Sequence, residues 1–375
     1  MEFKIEREHF LKSINRAYSI TEKSSNMPIL STVLISTKEA HIDIYATDLE
    51  ISFKESIPAE VISQGSAAIP CKKLLEIARE SKKDEFYVKK EDQRIFISDG
   101  TAEFRLAFLP PEEFVLTSEP EGIEYTNIEA AELRDMIKKT IYNLSTVEEM
   151  GYKFSGIFIQ KKDIEGELFL RFVSTDGSRL SLVDKKVSGI ESLNIEEGIF
   201  VPKKGMTEIN KLAQEGGPIN IGLKDRDLIV KKANRVLIIR LLDIKFPKYE
   251  SALPESTRYI IEIQKSRFIE ALRRMLIFTT DAYKAVIFSI KNNNIELKST
   301  NVEIGEARES IDIRHKGESV EDSFEIAFNP KFLLDAIQPM ESEFINLGLI
   351  DKDKPCIITG EDDPHYLSLI MPMRI

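Results

Sequence analysis

The stretch FKIEREHFLKSINRAY, Phe3 to Tyr18, begins as an alternating strand and runs without a break into an amphipathic helix. The same passage recurs as YTNIEAAELRDMIKKTIYNL from Tyr125 and as YIIEIQKSRFIEALRRML from Tyr259. Two further elements recur in step with it. A Thr followed by Asp or Asn stands at a strand end in ATDLE, STDGS and STNVE, with Thr47, Thr175 and Thr300 separated by 128 and 125 residues. Helix starts follow Pro70, Pro202 and Asn329, each with Lys two positions on (Lys72, Lys204, Lys331) and an acid six positions on (Glu76, Glu208, Asp335). One such match is ordinary cap chemistry; three in register mean a triplicated unit.

The polar, proline-containing segments TSEPEGIE (117–124) and LPESTR (253–258) lack apolar periodicity and read as linkers. They divide the chain into domains at 1–120, 124–253 and 256–375. Each holds two helices among short alternating strands such as AVIFSI and SFEIAF, which is an α+β domain. A chain of 375 residues is long enough for two or three cores.

Apolar residues make up 42% of the chain, but no run approaches a membrane span and the start MEFKIEREHF is charged. A soluble, cytoplasmic protein is expected. The two cysteines, Cys71 and Cys356, stand far apart as unpaired thiols, and the four histidines show no metal-ligand spacing, so no metal or other cofactor is expected. No phosphate-binding glycine loop or nucleophile motif occurs; QEGGP near Gly216 is a turn, and the chain reads as non-catalytic.

The net charge is −11, which argues against a simple basic nucleic-acid module. Its distribution says something different. The helical windows 7–19, 71–83, 129–144, 202–214, 265–278 and 330–338 carry 19 Lys and Arg against 9 Asp and Glu, and the remainder 33 against 54. Helical geometry places Lys12 and Arg16, then Lys72, Lys73, Arg79 and Lys83, then Lys138 and Lys139, then Lys204 and Lys211, then Arg267 and Arg274 opposite the apolar faces. One Lys-rich helix face is commonly just solvated; six basic windows in an acidic protein suggest a shared surface for a polyanion. Without aromatic platforms or base-reading motifs, contact would be to phosphate and independent of sequence.

The triplicated domain, the basic helices, TDGSRL at 175–180, FPKYESALP at 246–254 and the terminal MPMRI at 371–375 together resemble the bacterial DNA sliding clamps, the beta subunits of DNA polymerase III. The resemblance spans the whole chain. It implies a non-catalytic processivity factor, a head-to-tail homodimer closed into a ring with helices lining the hole around duplex DNA. It implies that Lys23 and Tyr152 join the DNA-facing set. A junction of Phe104 and Leu106 with Ile277 and Phe278 of a second copy is also implied, as is a groove for linear motifs of the replicative polymerase, the clamp loader, other polymerases and repair proteins. The groove residues are Phe154, Thr175, Gly177, Ser178, Arg179, Leu180, Pro247, Ala252, Pro355, Met371, Pro372, Met373, Arg374 and Ile375. Methionines suit such a site because they adapt to different peptides. A clamp-fold adaptor without ring closure is the alternative reading.

Overall fold

The computed structural model describes residues 1–22, 26–144, 154–320 and 323–374. Among the described residues six α-helices stand where the six windows predict them: α1 Arg7–Ile20, α2 Cys71–Glu80, α3 Ala130–Lys138, α4 Lys203–Ala213, α5 Lys265–Leu276 and α6 Pro330–Ile337. The α+β class follows directly. The third helix is shorter than its window, because Thr140 leaves helical geometry and a single 3-10 turn, Ile141–Asn143, completes the segment.

The strand-to-helix passage has the same physical basis in all three copies. Glu6, Glu129 and Gln264 hold extended backbone immediately before α1, α3 and α5, and none of them caps the helix with its side chain. The exposed first amide is instead taken by a loop carbonyl: Arg7 N donates to Asp84 O (2.7 Å), Ala130 N to Gly217 O (3.1 Å) and Lys265 N to Glu343 O (2.9 Å). At α6 the cap is a side chain, Asn329 Oδ1 accepting from Lys331 N at 3.0 Å.

The Thr-Asp and Thr-Asn elements are Asx turns. Asp48 Oδ1 accepts from Glu50 N and Ile51 N, Asp176 Oδ1 from Ser178 N and Arg179 N, and Asn301 Oδ1 from Glu303 N and Ile304 N. In the first two, the threonine hydroxyl donates across the turn, to Ile51 O at 3.0 Å and to Arg179 O at 2.7 Å. Gly216 and Gly217 have positive φ, as the QEGGP turn requires.

One compact unit gathers Met1–Ile128, Glu191–Leu193 and Pro218–Leu241. Its first sheet has the order Glu60–Ser63, Glu2–Glu6, Glu85–Lys90, Ile95–Ser98, Glu103–Leu106. Its second runs Thr126–Glu129, Pro218–Lys224, Asp227–Lys232, Arg235–Arg240, Ile51–Pro58, His41–Thr47, Thr32–Thr37, Gly65–Pro70. Helices α1 and α2 bury Phe10, Ile14, Ala17, Leu74, Leu75 and Ala78 in this unit, where each large side chain contributes about 2 kcal/mol. The other unit comprises Glu129–Ile190, Asn194–Gly217 and Leu242–Ile375. It holds α3 to α6 and a nine-stranded sheet ordered Ile199–Pro202, Gly156–Ile164, Glu167–Thr175, Arg179–Lys185, Tyr366–Ile370, Cys356–Gly360, Phe344–Leu349, Tyr259–Gln264, Arg314–His315. Its four-stranded sheet runs Gly305–Asp312, Asn294–Asn301, Val286–Lys291, Phe324–Phe328.

The middle repeat is therefore divided between the two units, because each of its sheets continues into a neighbouring repeat. Arg235–Arg240 pairs antiparallel with Ile51–Pro58, with Ile238 opposite Ser52. Arg179–Lys185 pairs antiparallel with Tyr366–Ile370, with Leu180 opposite Leu369. Continuous backbone ladders join successive repeats.

Candidate functional site

The TDGSRL turn and the chain end meet in one ladder. Arg179 lies opposite Ile370, and Met371 N donates to Ser178 O at 2.9 Å. Met373 N continues the attachment by donating to Ala327 O at 2.8 Å. The terminal residues are thus held on both sides by backbone bonds while the Met371 side chain stays exposed. Cys356 pairs with Ile370, which sets Pro355 next to the same strand end. Gly177 has a φ of 88°, and the Phe154 ring lies where a Cβ at Gly177 would be in van der Waals contact.

Leu180 is buried in an apolar cluster with Val173, Phe200, Phe246, Tyr249 and Leu369, and half-buried Leu242 and Leu253 pack against it. Pro247 follows Phe246, and Ala252 ends the 3-10 turn Tyr249–Ala252; both are exposed. The turn is anchored from beneath. Arg171 makes a two-pronged pair with Asp184 (2.6 and 2.8 Å) and also donates to the Tyr249 hydroxyl at 3.2 Å. Phe246, Tyr249 and Leu369 were not among the sequence-derived groove residues, although the alternation in YLSLI, Tyr366 to Ile370, marks Leu369 as facing the same side as Leu367. Pro372 and Met373 are half-buried and Arg374 is exposed; Ile375 lies outside the described residues.

Arg179 differs from a groove-lining cation. It is only 8% exposed, and its guanidinium donates to Asp176 Oδ2 (2.9 Å), Asp335 Oδ2 (2.8 Å) and Tyr142 O (2.9 Å) while lying 4.2 Å from the Phe332 ring centroid. Each of its three nitrogens donates within the protein, so it positions the turn.

Among the sequence-derived cations, Lys12, Lys72, Lys73, Arg79, Lys83, Lys138, Lys211 and Arg267 are exposed. Several are tied to neighbours: Lys12 to Glu8, Lys73 to Glu76 (2.7 Å), Lys211 to Glu208 (2.6 Å) and Arg79 to Asn15 (2.7 Å). Arg274 holds Glu309 through two nitrogens, and Arg16 reaches the buried Glu55 at 2.9 Å. Lys204 is half-buried. Arg134 on α3 and Arg273 on α5 are also exposed, at polar positions of the same helices that the sequence pattern did not single out.

Lys139 is a correction. It is 4% exposed, with its ammonium 3.0 Å from Asp135 and 2.8 Å from Asp363. A helical wheel assigns it to the polar face, but Asp363 comes from the third repeat and draws it inward. Lys23 and Tyr152 lie outside the described residues.

Phe104 and Leu106 are half-buried on Glu103–Leu106, an edge strand. Ile277, directly after α5, is 68% exposed, and Val302 and Ile304 are exposed at 86% and 50%. Phe278 is half-buried. Among the described residues no group of three His, Cys, Asp or Glu could hold a metal, and no helix is long and apolar enough to cross a membrane. Both cysteines are buried and unpaired, and burial pushes the Cys71 thiol up to about 12.

Three family profiles cover the chain in succession: the N-terminal domain of the DNA polymerase III beta subunit at residues 1–118, its central domain at 127–248 and its C-terminal domain at 250–374. The Beta sliding clamp of Pseudomonas putida is 28% identical, and that of Haemophilus influenzae likewise, each over 100% of both chains. Among solved structures, a Bartonella birtlesii sliding clamp bound to griselimycin matches at a TM-score of 0.93 and 27% identity over all of both chains. A Caulobacter crescentus beta sliding clamp, with PEG bound to a proposed beta-motif tethering region, matches at 0.93 and 26% over 100% of this chain and 99% of the other.

Proposed function

Since the chain belongs to the DNA polymerase III beta subunit family and is a DNA sliding clamp, a processivity factor and not a catalytic subunit, we propose that two copies close head to tail into a ring around duplex DNA. Its domains would be those expected at 1–120, 124–253 and 256–375. Full-length similarity to proteins named as beta sliding clamps carries the clamp reading and disfavours the adaptor alternative. The ring reading is supported by strand economy. Each repeat-to-repeat junction uses one strand following a Thr-Asp turn and one strand near a domain's end, and Glu103–Leu106 and Gly305–Asp312 are the remaining pair, both at sheet edges. A flat exposed edge pairs readily with another chain.

In that ring, exposed Lys12, Lys72, Lys73, Lys83, Lys138 and Arg267 face phosphates, with Lys23 and Tyr152 in the same set. Phosphate contacts of this kind depend on salt and not on base sequence, so the ring slides while topology retains it. Linear motifs of the replicative polymerase, the clamp loader and repair proteins seat apolar anchors beside Leu180, Pro247, Ala252, Met371 and Met373. The test is to load the protein with a clamp loader and ATP on nicked circular DNA and then linearise. Retention on the circle and release from the linear form is expected. Retention on both forms refutes topological holding, and loading on neither favours the adaptor.

A further inference from the structure

The sheet face where the first and second repeats join has the same grid as the groove and departs from it at three places. Cross-strand partners share a face, so in the groove Val173, Leu182 and Leu367 form one row and Thr175, Leu180 and Leu369 the next. In the unit that holds the first repeat the corresponding rows are Tyr45, Lys54 and Val236, then Thr47, Ser52 and Ile238. Residues 114–117 correspond to the segment beside the groove, because each follows an equivalent amide: Leu109 N donates to Ala68 O at 2.8 Å and Leu242 N to Phe200 O at 2.9 Å. Together with the two rows, residues 114–117 line a pocket. Phe114 and Ile238 are buried there, while Val115 and Leu116 are 44% and 52% exposed.

The three departures, Tyr45 for Val173, Lys54 for Leu182 and Ser52 for Leu180, make this pocket polar where the groove is not. Thr47 uses its one hydroxyl proton on Ile51 O at 3.0 Å, so in its 3.2 Å contact with Ser52 it accepts. Ser52 is the donor there and must accept in its 2.8 Å contact with Thr117. The hydroxyl of exposed Thr117 therefore offers a ligand lone pairs and no proton. Lys54 lies 3.6 Å from Asp43, which already accepts from Ser56 at 2.5 Å and from Tyr45 at 3.2 Å. The ammonium is thus loosely held and open to a second carboxylate. Glu119, the acid lining the pocket, is compensated by Lys231 and by the Tyr125 hydroxyl at 3.2 Å.

We propose that this pocket binds an acidic linear peptide through a tyrosine. The ring packs on Val236, Ile238 and Leu116, the phenol donates to Thr117 Oγ1, and a carboxylate next to the tyrosine pairs with Lys54. Charge and hydrogen-bond complementarity select this occupant: a purely apolar anchor, of the kind proposed for the groove, leaves Thr117 and Lys54 without partners. The pocket lies within one chain, so it requires neither ring closure nor DNA.

Fluorescence anisotropy of a labelled peptide, Gly-Asp-Glu-Tyr-Asp-Gly, titrated with the full chain tests this. The same peptide with phenylalanine in place of tyrosine should bind about tenfold more weakly, and so should one with lysines in place of its acids; this series needs no variant protein. Thr117→Val should weaken the tyrosine peptide about tenfold and make it bind like the phenylalanine peptide, as coupled partners do. Lys54→Glu should weaken the acidic peptide about tenfold and favour the lysine one. Melting temperatures on the same samples confirm that both variants fold. No saturable binding by the parent, equal binding of the tyrosine and phenylalanine peptides, or an affinity unchanged in both variants overturns the proposal. Each of those results leaves the ring and the groove at residues 175–180 as they are.

Discussion

The Lys139 ammonium lies 2.8 Å from the Asp363 carboxylate, joining the end of a helix in the second repeat to a loop in the third. Asp363 also accepts from the Ser342 hydroxyl at 2.6 Å and from the amides of Glu341 and Ser342. Burial raises its pKa, but Lys139 and these donors outweigh burial and hold the carboxyl at about 2. A carboxyl depressed below its ordinary value of 3.8 contributes fully above about pH 4 and loses that contribution as pH falls toward 2. About 2 kcal/mol should disappear over that window. In thermal unfolding at several pH values, Asp363→Asn should lower Tm at neutral pH and remove this component of acid sensitivity. An unchanged acid limb would show that the pair is not coupled to folding.

The neighbours Lys138 and Lys139 should separate DNA contact from folding. Lys138 is exposed, and Lys138→Glu should weaken the salt-dependent affinity of the protein for duplex DNA, most visibly at low salt, with Tm unchanged. Lys139→Met should lower stability by about 3 kcal/mol, because it strands a buried carboxylate, and should leave DNA affinity per folded molecule unaltered. Reversed phenotypes would restore Lys139 to the DNA-facing set.

Arg179→Ala should cost about 3 kcal/mol, since it removes charge-assisted bonds to Asp176 and Asp335 and the stack on Phe332 together. Arg179→Lys should recover little, because an ammonium cannot reproduce the planar fork that also reaches Tyr142 O. Chemical denaturation measures both. Full recovery by lysine would mean that charge alone matters there.

These contrasts mark where sequence is informative. The triplication was legible because Asx turns and helix starts require particular residues at fixed offsets: Asp48, Asp176 and Asn301 perform one task with nearly one side-chain type. The amides of Leu109, Leu242 and Met373 perform an equally repeated task, donating to Ala68 O, Phe200 O and Ala327 O, but a backbone bond leaves the side chain free to vary, and the third residue is a methionine where the first two are leucines. The burial of Lys139 was equally hidden. Helical periodicity reports which face a residue occupies, not that a carboxylate from a distant repeat will cover it. Arg179 was found by motif, yet its inward role depends on Asp335 and Phe332, which no local spacing connects to it.

Ile277→Asp should shift the dimer toward monomer by at least tenfold in dissociation constant while leaving monomer stability within about 0.5 kcal/mol, as expected for a side chain 68% exposed in the single chain. Light scattering across a concentration series checks it. An unchanged mass would remove Ile277 from the junction.

The chain end carries two separable roles, and one pair of variants distinguishes them. Met371 and Met373 donate backbone bonds to Ser178 and Ala327, so deleting residues 371–375 removes two ladder contacts as well as the apolar side chains. That deletion should lower Tm and abolish capture of a polymerase-derived peptide. Met371→Ala keeps both backbone bonds and removes only an exposed, adaptable side chain. It should weaken peptide binding about tenfold, in the range of a modest hot spot, with Tm unchanged. Binding by fluorescence anisotropy and unfolding on the same samples give the two readouts. If Met371→Ala binds peptide normally and the deletion alone fails, the tail acts by holding the Ser178 turn in place, and its methionines are not themselves the contact.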